Sequence, residues 1–263
     1  MTQNQQLHYQ YQTATNATGQ TQTMIFLHGL FGDLNNLGGI ARSFSDNYHI
    51  LKVDLRNHGQ SFHSNEMNYQ VMAEDVKALL EQLNIQNSII VGHSMGGKTA
   101  MKVVDLAANL IDKVVVIDIA PVRYPLNRHD NAFAGLFAVK EDQPLTRQEA
   151  KVSMSKFIRD EGVQQFMLKS FDAQSSQRFK FNLSALKENY PNIMDWQDVF
   201  VDKPTLFIKG ELSDYLQDKD TEKVLAQFPK AKLFVVSNTD HWVHAEKPEA
   251  VVRAIQKFLG HQV

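Results

Sequence analysis

Six short runs of this chain are apolar at nearly every position: residues 24–27, 49–53, 88–91, 113–119, 205–208 and 233–236. Apolar runs of this length without alternation predict strands covered on both faces, as in a parallel sheet. Between the runs, apolar residues recur at three- and four-residue spacing. Residues 73–83 carry Val76, Leu79, Leu80 and Leu83, and residues 98–110 carry Met101, Val104 and Ala108. Residues 249–259 follow Pro248, which suits a first helical turn, and carry Val251, Val252, Ile255, Phe258 and Leu259. Strands alternating with helices predict an α/β fold, with a mostly parallel central sheet and helices on both faces.

One stretch interrupts the alternation. From Pro121 to Gln197 no run reads as a strand, and helices are predicted over 131–139, 147–159, 162–171 and 184–190. That is far longer than a simple crossover of about a dozen residues. It predicts a helical cap, 121–197, inserted into a core made of 1–120 and 198–263 and lying over the C-terminal edge of the sheet.

Composition narrows the possible partners. With 263 residues the chain can bury a sizeable core. Its formal net charge of −2 shows no basic excess of the kind that attracts nucleic acid or an anionic membrane. There is no cysteine, which excludes disulfides, thiolate catalysis and cysteine-based zinc sites. Residues 1–23 are polar and lack the apolar centre of a secretion signal, and no run of about 18 apolar residues occurs. A cytoplasmic protein without membrane insertion is expected.

The chemistry starts at Gly92-His93-Ser94-Met95-Gly96, a G-x-S-x-G pattern between a predicted strand and a predicted helix. In that context the serine sits on a sharp, strained turn that lifts its hydroxyl clear of the sheet, and the glycines allow helix and strand to pass closely. The same residues, extended to Gly97-Lys98-Thr99, also match the phosphate loop G-x-x-x-x-G-K-[ST]. The run 114–118 ends in Asp118, as a magnesium-holding acid would in a nucleotide hydrolase. A P-loop NTPase is therefore the rival reading.

Three features elsewhere fit the serine reading and have no use in the rival. His28-Gly29-Leu30-Phe31-Gly32 follows the first strand, where the backbone N–H of Leu30 could join that of Met95 in an oxyanion hole. Asp54-Leu55-Arg56-Asn57-His58-Gly59-Gln60-Ser61 follows the second, and reads as a structural loop beneath the site. Asp240-His241-Trp242 follows the last strand, where the histidine of a Ser–acid–His chain order belongs. His241 is the expected general base, and His244 is expected in the following turn. A metal pair at His241 and His244 lacks further ligands, so no metal or cofactor is expected. His8, His49, His63, His129 and His261 read as surface or solvated loop residues.

Two acids compete for the third place. Gly210-Glu211-Leu212-Ser213-Asp214 puts serine where a G-x-x-D pattern would put the acid, and displaces Asp214 by one. Asp118 ends the strand beside the nucleophile's and is the favoured partner of His241. Ser94, Asp118 and His241 then form a triad for acyl transfer through an acyl-enzyme.

Taken together, Gly92 to Lys98, Ile117-Asp118-Ile119-Ala120-Pro121-Val122, Arg128-His129-Asp130 and His241-Trp242-Val243-His244-Ala245 resemble the YbfF-type bacterial esterases of the α/β-hydrolase fold. The resemblance covers nearly the whole chain after the first 20 residues. It implies a helical cap, Asp118 as the acid, and hydrolysis of a small-molecule ester or acyl thioester, with acyl-CoA among the candidates. The acid at Asp214 departs from the family pattern. A lysine after the elbow belongs to that pattern, which makes the phosphate-loop match a coincidence. A catalytically silent binding protein of the same fold is the remaining alternative. In the cap, eleven Lys/Arg against nine Asp/Glu give no sign of a phosphate-bearing substrate. Phe133, Phe137, Phe157, Phe166 and Phe171 read as core before pocket lining, and Arg123 and Arg128 are candidates to face the site.

Overall fold

Each of the six apolar runs forms a strand, and all six lie parallel in one sheet. The structure is a computed structural model that describes residues 6–261. A seventh strand, β1 (Tyr9–Gln12), pairs antiparallel with β3 (His49–Val53). The order across the sheet is β1, β3, β2 (Thr23–Leu27), β4 (Ser88–His93), β5 (Ile111–Ile117), β6 (Thr205–Gly210) and β7 (Ala231–Val236). The polarity of residues 1–23 hides β1. An edge strand needs only one backbone neighbour, and its side chains Gln10, Tyr11 and Gln12 are exposed. Residues 1–5 of that segment lie outside the described residues.

Apolar residues fill both faces of the sheet. On β2, Met24 and Phe26 enter one core while Ile25 and Leu27 enter the other. Ile89 and Val91 of β4 and Val115 and Ile117 of β5 join the first; Ile90, Val114 and Val116 join the second. The first core is closed by α1 (Gly38–Arg42) and the C-terminal helix, through Ile40, Val251 and Ile255. The second is closed by α2 (Tyr69–Gln82) and α3 (Met95–Leu106), through Val76, Leu79, Leu80, Met101 and Val104. Burying each such side chain contributes about 1.5–3 kcal/mol relative to leaving it exposed. The edge strand β7 corrects the expectation of burial. Leu233 and Val235 are exposed, because no neighbour covers the outer side of the sheet there.

Between β5 and β6 the chain forms α4 (Asp130–Asp142), α5 (Arg147–Ser155), α6 (Glu161–Lys169), α7 (Leu183–Glu188) and α8 (Tyr190–Met194). The single helix expected over 184–190 is two helices. Pro191 cannot donate a backbone hydrogen bond and disfavours helical geometry before it, so a new helix starts there. Local signals set other ends: Thr146 and Glu149 form a capping box on α5, and Asn68 caps α2. After β6 come α9 (Thr221–Gln227), the short α10 (Val243–Glu246) and α11 (Pro248–Leu259). Among the described residues no helix is long and apolar enough to cross a membrane.

The join from β4 to α3 is the tightest in the fold. A Cβ on Gly92 would overlap the Gly96 carbonyl, and one on Gly96 would overlap the carbonyls of Leu27 and His28 on the neighbouring strand. Backbone cannot retreat as a side-chain tip can. Gly92→Ala and Gly96→Ala should therefore each cost about 3 kcal/mol or more. Urea unfolding measures this, and a midpoint equal to the parent's would contradict the packing described.

Candidate active site

The tight join dictates an unusual backbone at its apex. Ser94 has φ 53° and ψ −121°, a left-handed conformation that an L-residue adopts only under constraint. Its N–H donates to the Ile117 carbonyl and its own carbonyl accepts from Gly97 and Lys98, so the turn is held from both sides. The side chain is left half-buried at the C-terminal edge of the sheet, at the floor of a cavity of about 730 Å³.

His241 enters from the loop after β7. Its Nε2 lies 3.0 Å from Ser94 Oγ, and its Nδ1 lies 2.8 Å from Asp118 Oδ2. Asp118, fully buried at the end of β5 with φ 52°, reaches across the strand ends to do this. Its other oxygen accepts the Gly210 N–H at 2.9 Å, and the Ser213 hydroxyl donates to Oδ2. The loop that would have supplied an acid in the G-x-x-D pattern thus supplies hydrogen bonds to the acid on β5. Asp214 is exposed and pairs with Arg128; it makes no hydrogen bond to His241. With Nδ1–H donated to Asp118, His241 presents the bare lone pair of Nε2 to the serine hydroxyl.

Electrostatics favours the neutral ring. Burial lowers the His241 pKa below its ordinary 6.5, and the Arg128 charge adds to the push. Burial also raises Asp118, opposed by the hydrogen bonds from Ser213 and Gly210. The two titrate as a coupled pair, and a neutral imidazole is the state it favours at neutral pH.

Several contacts were not legible beforehand. The Tyr215 ring stacks on His241 at 3.8 Å, and the Arg128 guanidinium lies 3.9 Å from the other face of that ring. His93, the variable residue of the elbow, donates from Nε2 to the His241 carbonyl at 3.0 Å. His244 packs against His93, and the expected turn is the short helix α10. His129 corrects the expectation of a solvated loop residue: its two ring nitrogens meet the hydroxyls of Tyr190 at 2.6 Å and Tyr215 at 3.1 Å. None of these pairings has a periodicity, so no pattern in the chain announces them.

The loop after β2 borders the nucleophile. A Cβ on Gly29 would lie 3.4 Å from Ser94 Cβ, and Gly29, Leu30 and Phe31 line the cavity. Among the described residues, the N–H groups of Leu30 and Met95 have no protein acceptor. Two buried histidines support this loop. His28 donates from Nδ1 to the Gly29 carbonyl and accepts from Leu55 N–H; His58 donates to the Arg56 carbonyl and accepts from Phe31 N–H. Asp54 accepts from Leu34 and Gln60 N–H. The segment after β3 is thus structural, and His58 does not line the cavity.

The helical segment contributes Ala132, Val163, Phe166 and Met167 to the cavity wall, and Phe166 packs on Trp242. Of the five phenylalanines only Phe166 lines it; Phe133 and Phe171 are core, and Phe157 is exposed. Arg128 borders the cavity, whereas Arg123 is exposed and pairs with Asp195. Lys98 decides against a phosphate loop. It sits on α3, 1% exposed, its ammonium bonds to the carbonyls of Val122 and Asp195, and it does not line the cavity. Among the described residues no group of three or more His, Asp or Glu is placed to hold a metal ion.

The chain belongs to the α/β-hydrolase fold family, whose model matches residues 22–248. It is 44% identical to esterase YbfF of Escherichia coli, over 97% of this chain and 99% of that one. It is 34% identical to the mouse sn-1-specific diacylglycerol lipase ABHD11, over 90% of this chain and 80% of the relative. Among solved structures, a marine microorganism esterase superposes with a TM-score of 0.90 at 33% identity, covering 97% of this chain and all of the other. The expected fold and the resemblance to YbfF-type esterases are borne out.

The histidine supports give a prediction. His58→Ala leaves the Phe31 N–H unsatisfied and opens a void under the loop after β2, so a loss of about 2–4 kcal/mol is expected. Thermal or urea unfolding measures it. Unchanged stability would remove His58 from its supporting role.

Proposed function

We propose that this protein is a serine hydrolase of carboxylic esters and thioesters, acting through Ser94, His241 and Asp118. The observation that carries this reading is the continuous hydrogen-bonded line from Ser94 Oγ through His241 to Asp118, ending on a fully buried carboxylate. Kinship with proteins named as esterases and lipases supports the same reaction class.

In this mechanism Ser94 Oγ attacks the acyl carbonyl carbon while its proton passes to His241 Nε2. The new carbonyl oxyanion lies toward the N–H groups of Leu30 and Met95, which are without protein acceptors. As the tetrahedral centre collapses, His241 returns the proton to the leaving alcohol or thiol and the acyl-enzyme remains. Water then attacks the acyl carbon, giving its proton to His241, and Ser94 leaves with that proton. Asp118 holds the ring in the required tautomer and balances the imidazolium in both halves. The segment 121–197 acts as a cap: its side chains wall the cavity, and Phe166, Met167 and Val163 offer an apolar surface to the acyl chain.

A fluorophosphonate should label the wild type and fail to label Ser94→Ala. Unlabelled wild type would favour a catalytically silent binding protein. Tight ATP binding abolished by Lys98→Ala would revive the nucleotide reading. Asp118→Asn should lower kcat on a p-nitrophenyl ester about 10³–10⁴-fold, and Asp214→Asn by less than about tenfold. Loss with Asp214→Asn alone would reassign the acid.

The pH profile follows from the histidine. The base works only when neutral, so kcat/KM is full above its pKa and falls as the pH drops through it. Because burial lowers that pKa, the acid limb should lie below 6.5. An acid limb above 7 would contradict the environment described.

A further inference from the structure

Lys98 is a buried lysine that the proposed reaction does not use; burial lowers its pKa to about 7. It lies one helical turn after Ser94, and its N–H donates to the Ser94 carbonyl at 3.1 Å. Its side chain runs away from the cavity to a point where two distant segments meet. There the ammonium donates to the Val122 carbonyl at 2.6 Å and the Asp195 carbonyl at 3.1 Å. The rings of Tyr124, Tyr69 and Trp196 surround it at 4.7, 5.4 and 5.6 Å. The Asp195 carboxylate is engaged elsewhere, by Arg123 and by the Trp196 N–H. An ammonium held by carbonyls and aromatic faces is costly to desolvate, and an apolar side chain would fill the same space.

The two carbonyls belong to the two crossings between the sheet and the helical segment. Val122 lies just after β5, where the chain leaves the sheet; Asp195 lies just after α8, where it returns. The crossings also touch directly, since Tyr124 N–H donates to the Met194 carbonyl at 2.9 Å. From Tyr124 the contacts continue toward the site. Its hydroxyl donates to the Tyr215 carbonyl, and the Tyr215 ring stacks on His241.

We propose that Lys98 is a positioning residue that ties the nucleophile's helix to both crossings of the helical segment and so fixes the cap-side wall of the cavity against Ser94. The proposal rests on the reading of that segment as a substrate-enclosing cap. It follows from topology. The chain joins this segment to the core at two adjacent crossings, and one side chain bonded to both holds it at that root, in addition to contacts farther out such as Ser170 Oγ to the Phe31 carbonyl and Asn182 N–H to the Asn57 carbonyl.

The test compares wild type with Lys98→Met, which keeps the length of the side chain and removes the donors. Replacing a buried charge by an apolar isostere is commonly tolerated, so the variant is expected to fold. Two readouts must both move. Exchange of the Tyr124 amide, followed site by site, should quicken at least about tenfold. The KM for a p-nitrophenyl dodecanoate ester, divided by that for the acetate, should rise at least about fivefold, with kcat on the acetate changing less. Core filling alone predicts neither, and movement in only one readout or in none overturns the tether. If the variant does not fold, wild type decides: its Tyr124 amide must exchange as slowly as those of α3, and faster exchange overturns the proposal. Fluorophosphonate labelling of the wild type judges the hydrolase reading separately.

Discussion

Between Gly92 and Gly96 the chain leaves a central strand and enters a helix, and no room exists for a Cβ at either end of the turn. The adjacent strand passes so close that its carbonyls occupy the space. Ser94 is forced into a left-handed backbone conformation at the apex. The strain is sustained because the strands on both sides, β2 and β5, are themselves locked between two cores. A hydroxyl held at a fixed height above the sheet is the consequence, and His241 and Asp118 are placed around that point.

Asp118 and His241 come from different strand ends, as a parallel sheet allows. All parallel strands finish on the same edge, so loops remote in sequence become neighbours there. Asp118 reaches His241 from β5, the strand next to the one that ends at Ser94, while the loop after β6 holds its carboxylate through Gly210 and Ser213. Burial makes these contacts strong and also makes any unpaired charge costly, so each oxygen of Asp118 has a partner. The Tyr215 ring, with Arg128 on its far face, covers one side of the His241 ring.

The cavity owes its shape to the relation between two parts of the chain. Its floor is made by the sheet edge, through Gly29, Ser94 and His241, and its wall by the helical segment, through Ala132, Val163, Phe166 and Met167. Those wall residues are spread over two helices, and their distance from Ser94 depends on how the segment is seated. Lys98 lies beneath that seat, on the helix that Ser94 begins. A residue that looked like part of a phosphate loop in the linear chain has its ammonium among three aromatic rings.

The sequence by itself determined the alternation of strands and helices, because burial on two faces leaves unbroken apolar runs and helical packing leaves a three-to-four-residue period. It also singled out Ser94 as the candidate nucleophile, since G-x-S-x-G carries its reason locally: two glycines four residues apart and a serine between them. It pointed to His241 by chain order and preferred Asp118 to Asp214. It missed β1, whose side chains bury almost nothing, and it read one helix over 184–190 where the chain forms one ending at Glu188 and another starting at Tyr190. What only the tertiary structure decided were the relations that no period records. Ser213 sits where an acid was sought and serves the acid instead; His129 bridges two tyrosines; Tyr215 lies on His241; and Lys98 turns away from the site. Each depends on which loops the sheet edge brings together. A side chain's partner across some hundred residues is set by packing in three dimensions, which leaves no trace in the spacing along the chain.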